Sequence, residues 1–168
     1  MSDESEFESR RNTLIADIAA AFAGVSREDG TTLHEADARD DWKSPEEQRA
    51  ARKLDPEARW QDVTDENIFA CCSALSFLDE KGFRYYVPAF MICSLKHWGD
   101  KASMILNSCE YQLLHDYPKS LRESKPASIA GKYQFTDAQS KVVARFLRFI
   151  IDFDEIAGDR ATVEAVER

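Results

Sequence analysis

Apolar residues recur at steps of three and four along most of this chain, the spacing that places them on one face of an α-helix. The first such stretch predicts a helix from about Glu6 to Ala23, ended by Gly24. The last one opens with the capping pattern Thr136-Asp137-Ala138-Gln139 and predicts a helix that runs to about Phe153. The apolar face of this last helix contains Val142, Val143, Phe146, Leu147, Phe149, Ile150 and Phe153.

The densest aromatic segment is Gly82–Met91, where four aromatic residues and Arg84 surround Pro88. Apolar residues continue at helical spacing through this segment to Trp98, which favours a helix over a strand. Pro88 removes one backbone hydrogen bond and clashes with the carbonyl four residues earlier, so the helix is predicted to be kinked there. The alternative is a helix that begins at Pro88 and follows an extended segment 83–87.

Helix start signals divide the rest of the chain. Thr32 with Glu35 predicts a short acidic helix to about Asp40, and Ser44-Pro45 predicts a surface helix. Thr64 predicts a helix that carries Ile68, Phe69, Cys72, Leu75 and Phe77, and Asp79 caps the aromatic helix. A further helix is predicted from about Lys101 to Leu114. Prolines, serines and a glycine then predict a loop over 118–135.

These elements predict an all-α fold, a single-domain bundle of about six helices around a kinked, aromatic-rich central helix. The domain is expected to span residues 1–158, followed by a frayed C-terminal tail at 159–168. A chain of 168 residues is long enough to bury a sizeable core.

Charge narrows the choice of partners. The net charge is −9, and residues 1–62 contain sixteen acidic and nine basic side chains. Such a surface argues against nucleic acid or an anionic membrane and permits steering towards a basic protein. No apolar run approaches the ~20 residues that cross a bilayer, and the chain opens without a basic signal region, so a cytoplasmic location is expected.

Thiols and histidines provide the metal candidates. Cys71, Cys72, Cys93 and Cys109 lie in apolar helical stretches and are predicted to be reduced and mostly buried. Cys93 and His97 stand four residues apart on one predicted helix, and Cys109 and His115 on the next, so a four-ligand zinc site is conceivable. Scattered ligands of this kind more often have structural roles, and neither a metal nor a cofactor is predicted.

Other candidates concern recognition. Arg84 could clamp an acidic group, although an arginine paired inside the fold is favoured. The hydroxyl of Tyr85 is expected on the side that the core leaves open. Trp42 and Trp60 could join it in a partner-binding patch, although Trp60 is also expected to plug into the domain. Asp40 and Asp41 belong to an acidic cluster with Asp37 and Asp55, which is predicted to be a solvated face rather than a Mg²⁺ or acid–base site.

Several motifs in order resemble a family of uncharacterised bacterial proteins. They include Trp60-Gln61-Asp62-Val63, Ser76-Phe77-Leu78-Asp79, the segment Gly82-Phe83-Arg84-Tyr85-Tyr86-Val87-Pro88-Ala89-Phe90-Met91, and Phe135-Thr136 at the start of the last helix. The resemblance covers roughly residues 12–152, while Cys71-Cys72 departs from the pattern. It implies a small, mostly helical cytoplasmic protein without an established activity.

Together these observations favour a small, acidic protein-interaction module, of an immunity or regulatory type, that binds a basic protein such as a toxin. The chain has no phosphate-binding loop, zinc-protease motif or nucleophile elbow, so an enzyme is less favoured. Two alternatives stay open. One is a small-molecule binder or enzyme with a pocket around Arg84, Tyr85 and His97, and the other is a structural homo-oligomer.

Overall fold

The computed structural model describes residues 3–99, 103–122 and 129–153, which form helices and turns without a strand. This confirms the all-α class. Six of the eight α-helices in this part of the chain have seven residues or more. The helices are α1 (Asp3–Ala21), α2 (Leu33–Asp40), α3 (Pro45–Ala51), α4 (Asp65–Ala70), α5 (Glu80–Lys96), α6 (Ser103–Arg122), α7 (Ile129–Tyr133) and α8 (Asp137–Phe153). Short 3₁₀ turns lie at Arg52–Leu54, Trp60–Asp62 and Ala74–Ser76.

The chain divides into two compact units. One unit combines the residues up to Ala23 with those from Leu113 onward, and the other spans Gly24–Gln112. The interpretation as a single domain over 1–158 stays a prediction, and the proposed frayed tail at 159–168 lies outside the described residues.

Helices α1 and α8 form the first unit by packing in opposite directions. Arg10 pairs with Asp152, and the Arg145 guanidinium lies 2.6 Å from the Asp17 carboxylate. At the other end, the Gln139 amide donates to the carbonyl of Ala21 over 3.3 Å. The apolar face predicted for the last helix is confirmed, since all of its residues are buried except half-buried Phe153.

Helix α5 forms the core of the second unit. It runs without interruption through Pro88, so the alternative start at Pro88 is wrong. Twelve of its seventeen residues are buried, including Phe83, Tyr86 and Phe90, none of which is exposed at all. The kink itself stays a prediction.

The first turn of α5 lies against the preceding loop. The Asp79 side chain accepts hydrogen bonds from the backbone N–H groups of both Gly82 and Thr31, at 2.8 and 3.0 Å. A Cβ at Gly82 would lie 2.4 Å from the Thr31 carbonyl oxygen, so only glycine permits this approach. The cap predicted at Asp79 is therefore confirmed, and it has a second function in holding the loop.

Two predicted boundaries are wrong. The helix that begins after Thr64 ends at Ala70 rather than continuing to Phe77. Cysteine and serine are weak helix formers, and the Ser73 hydroxyl instead donates to Asp40 of α2 over 2.6 Å. Helix α6 continues through Pro118 to Arg122, and α7 occupies 129–133, so most of the described part of the predicted 118–135 loop is helical.

Candidate partner-binding surface

The end of α2 places a tryptophan in a backbone conformation that glycine normally occupies. Trp42 has a φ of 57°, in the left-handed region. The N–H of Lys43 donates to the Ala38 carbonyl, and that of Trp42 to the Arg39 carbonyl, over 2.9 and 3.1 Å. These two bonds form the Schellman motif that commonly ends helices, in which the left-handed position is usually glycine. A bulky side chain at this position costs free energy, on the order of 1 kcal/mol.

The Trp42 side chain is almost entirely in solvent. It is 95% exposed, the highest value among the large apolar residues described. Residues 40–47, which we call the Trp42 surface, contain this ring together with four carboxylates and one lysine. Helix α3, which begins in this surface, has no buried residue. The sequence-predicted residues Asp40, Asp41 and Trp42 therefore lie together, as neighbours in one turn.

Two of the four acidic residues of this surface are in an unfavourable position. Asp40 ends α2 and Asp41 is its C-cap, where the negative end of the helix dipole disfavours further negative charge. Burial, followed by the charges of Asp41 and Asp40, raises the pKa of Asp37 on the same helix. The two glutamates lie in the first turn of α3, where negative charge is favourable. All four carboxylates together make the local potential of this surface negative.

The acidic cluster is only partly a solvated face. Asp41 is exposed, but Asp40 is half-buried and accepts the Ser73 hydrogen bond. Asp55 is 2% exposed, and its carboxylate binds the backbone N–H and Nδ1 of His34 over 2.9 and 2.6 Å. The prediction of a solvated face is wrong for Asp55, because the connector that carries it folds inward onto the start of α2.

Tyr85 and Trp60 do not belong to an exposed patch. Tyr85 has no exposed surface, and its hydroxyl donates to the Glu57 carbonyl over 3.2 Å. Burial raises the pKa of Tyr85 to about 12. Trp60 is 3% exposed, so the prediction that it plugs into the fold is confirmed and its role as a partner-binding residue is wrong. Helix α5 is buried nearly all round and has no outer face for Tyr85 to occupy.

Arg84 is paired inside the second unit. Its guanidinium lies 3.3 Å from the carboxylate of Glu28, and its side chain is 16% exposed. Arg84 therefore has a carboxylate partner within its own unit, as the favoured interpretation expects, although this partner is 48% exposed. The alternative pocket around Arg84, Tyr85 and His97 lacks its central member, since Tyr85 reaches no solvent.

The metal candidates are arranged differently from the predicted set. Asp65, Cys93 and His97 bring one potential ligand atom each within 4.8 Å of one another. Cys109 is buried outside this group, and the side chain of His115 lies outside those that the structure describes. All four cysteines are free, and three of them are buried while Cys72 is half-buried. Burial raises the pKa of Cys71 and of Cys93 to about 12, so neither is a ready nucleophile at neutral pH.

Two groupings of polar side chains are not evident from the sequence. The sequence marks Asp65 only as a residue that follows the Thr64 helix start, because its distance of 28 residues from Cys93 matches no ligand spacing. The His34–Asp55 pair is not evident from the sequence either, because its members stand 21 residues apart. Nothing in the spacing joins these residues; only the fold does.

The first unit contains a cavity of about 210 Å³ between α1 and α8. Arg10, Arg145 and Arg148 line it together with two hydroxyl residues. Arg10 pairs with Asp152, and Arg145 pairs with Asp17. Because carboxylates already neutralise these two guanidinium groups, the cavity is an interhelical groove crossed by ion pairs.

The class of this protein follows from these features: an acidic all-α protein with an exposed tryptophan in an acidic turn. The chain belongs to a family of unknown function, DUF6714, whose model matches residues 10–168. Comparisons with curated proteins and with solved structures each found no match. In the described residues, no helix has both the length and the apolar character to cross a membrane.

Proposed function

We propose that this chain is a cytoplasmic, bacterial protein-interaction module that binds a basic protein partner through the Trp42 surface. It acts in the manner of a regulatory or immunity-type protein, and a basic toxin is one kind of partner that fits. The observation that carries the proposal is Trp42, a fully presented aromatic ring on a left-handed backbone.

Trp42 costs the folded protein free energy in two ways. Exposing Trp42 leaves a large apolar ring in water, and its backbone conformation would be better served by glycine. Strained residues that persist in a fold are concentrated at functional sites. Tryptophan is among the residues that dominate binding energy at interfaces, since one ring buries some 150–250 Å². The Trp42 ring contributes little to folding stability, whereas it would contribute free energy to the binding of a partner.

The surrounding charge selects the partner. A lysine or arginine on a partner can stack on the Trp42 ring while it pairs with the Asp41 carboxylate, which is 64% exposed. The four carboxylates within residues 40–47 would also speed the approach of a basic surface. A second copy of this chain is a poorer fit, because it would bring another acidic surface to a protein of net charge −9.

The test is affinity capture of binding proteins from an extract of the source organism, with wild type and Trp42→Ala compared side by side. We expect a basic protein that is retained by wild type at low salt and released as salt rises. Trp42→Ala should weaken its binding by about thirty-fold, which corresponds to ~2 kcal/mol at an interface centre.

Leu54→Ala is the matched control, since Leu54 is an exposed apolar residue outside the Trp42 surface, 59% exposed. It should leave capture unchanged. Retention of the same protein by wild type and by Trp42→Ala would refute the proposal. Capture of an acidic partner would also refute it. The same holds if wild type captures no other protein and a sizing experiment shows that it only associates with itself.

A further inference from the structure

Three side chains with different donor atoms meet where α4 begins and α5 ends. Asp65 is the first residue of α4, and Cys93 and His97 lie one turn apart at the end of α5. Asp65 Oδ2 and His97 Nε2 are 2.7 Å apart, and one ligand atom from each of the three residues lies within 4.8 Å of the others. This is the one group of three such residues found in the described part of the chain.

The donor set matches zinc. Zinc takes sulfur, imidazole nitrogen and carboxylate oxygen at about 2.0–2.3 Å, which places tetrahedral ligands roughly 3.3–3.8 Å apart. The Asp65–His97 distance would open by about 0.6–1.1 Å, and the other separations, none of which exceeds 4.8 Å, would close by about 1.5 Å at most. Side-chain rotation of the half-buried Asp65 and His97 can supply such changes.

We propose that Asp65, Cys93 and His97 bind one Zn²⁺ ion, with a fourth position open to water. This proposal does not depend on the function of the Trp42 surface. It also departs from the sequence-based prediction of no metal, which considered Cys109 and His115 as partners and did not include Asp65.

The setting of the three residues supports the site. Cys93 is 1% exposed and forms the inner wall, while the side chains of Asp65 and His97 are 38% and 34% exposed. The ion can therefore enter from solvent past the carboxylate and the imidazole. The Phe69 ring meets that of His97 edge to face at 5.2 Å, which orients the imidazole.

Binding must release a proton from Cys93. A free cysteine thiol has an ordinary pKa of about 8.5 and therefore holds its proton at neutral pH. Zinc binds the thiolate, and the displaced proton leaves to solvent. Affinity for zinc should therefore fall as pH is lowered, with proton release that calorimetry in buffers of different ionisation enthalpy can count.

The experiment is a zinc titration of the metal-free, reduced full-length chain in competition with a chromophoric chelator. We expect one equivalent bound, with His97→Gln and Cys93→Ser each weakening affinity at least ten-fold. His97→Gln keeps a polar side chain at a half-exposed position and so tests the site even if Cys93→Ser fails to fold. Co²⁺ in place of zinc should give the sulfur-to-metal charge-transfer band of a thiolate ligand, absent from Cys93→Ser.

Cys72→Ser is the matched thiol control, because Cys72 is half-buried and lies outside the group. It should bind zinc like wild type, as should Trp42→Ala, which separates this site from the Trp42 surface. Mg²⁺ should not compete, since it prefers oxygen ligands. The proposal is overturned if wild type binds no zinc, if His97→Gln binds it as well as wild type does, or if Cys72→Ser abolishes binding.

Discussion

At the residue scale, the most telling position is Trp42, where ring and backbone make separate contributions. The ring is 95% exposed, so it adds little to folding, while the φ of 57° costs free energy whatever the side chain beyond Cβ. Both alanine and glycine at position 42 remove the ring, but only glycine relieves the backbone strain. Comparing the two substitutions therefore separates the effect on binding from the effect on stability.

Trp42→Gly should raise the free energy of unfolding by about 1 kcal/mol, because glycine occupies the left-handed position of a Schellman motif without strain. Trp42→Ala removes the same ring but keeps a Cβ, so its stability should stay close to that of wild type. Urea unfolding of the three proteins measures this. Equal stability of the glycine and alanine variants would mean that the backbone at Trp42 is not strained.

Single residues also show what the sequence could reveal. Trp42 and Trp60 both lie in polar stretches of the sequence, yet Trp42 is exposed and Trp60 is buried. The sequence predicts burial only for Trp60. Helical periodicity predicts an outer face for Tyr85, whereas α5 is covered on nearly all sides. Residues distant in sequence, such as Glu57, cover the side of α5 that carries Tyr85, and a local sequence pattern does not predict such contacts.

At the element scale, helix starts were the most predictable features. Thr32, Ser44, Thr64, Asp79 and Thr136 each precede a helix as expected, because capping is a local interaction between near neighbours. Helix ends were less predictable, as α4 and α6 show. The end of α4 depends on a bond from Ser73 to another helix, and α6 continues past a proline that local rules treat as a stop.

Gly82 provides a test in which two element-scale effects have opposite signs. Helix propensity alone predicts that Gly82→Ala stabilises α5 by about 1 kcal/mol. The Thr31 carbonyl oxygen would lie 2.4 Å from the new Cβ, so we expect instead a loss of about 1–3 kcal/mol in the free energy of unfolding. Denaturant unfolding decides between the signs. Glu80→Ala, an exposed change in the same turn, should stay within about 0.5 kcal/mol of wild type.

At the scale of the whole molecule, a polar network joins distant segments around α5. The Tyr86 hydroxyl accepts from Arg27 over 2.7 Å and donates to the Glu57 carboxylate over 3.2 Å. The Arg27 guanidinium also lies over the Tyr85 ring, 5.5 Å from its centre. The aromatic segment that dominates the sequence is thus mainly architectural. The all-α class was predictable from it, whereas the network was not, since it links residues up to 59 positions apart.

Alkaline pH should weaken this network. Burial raises the folded-state pKa of Tyr85 to about 12 and that of Tyr86 further, against about 10 in an unfolded chain. A raised folded pKa gives stability that is complete below pH ~10 and is lost as pH rises towards 12. Denaturant unfolding at pH 8 and at pH 11 should show this loss.

Tyr85→Phe identifies the group responsible. At pH 8 it should be less stable than wild type by about 1 kcal/mol, because the hydrogen bond to Glu57 is lost. That difference should narrow at pH 11, where wild type begins to carry the cost of tyrosine ionisation. Phe83→Leu, a buried change on the same helix without a titrating group, should keep a constant difference. A constant difference for Tyr85→Phe as well would contradict the assignment.

One oxygen atom of Asp79 has a consequence for how the second unit becomes ordered. Oδ1 accepts from Gly82, three residues ahead, and from Thr31, 48 residues behind. The start of the central helix and the return of the distant loop therefore share one acceptor. Because each bond holds the carboxylate in place for the other, the two amide protons should become protected from exchange in a single cooperative step rather than in succession.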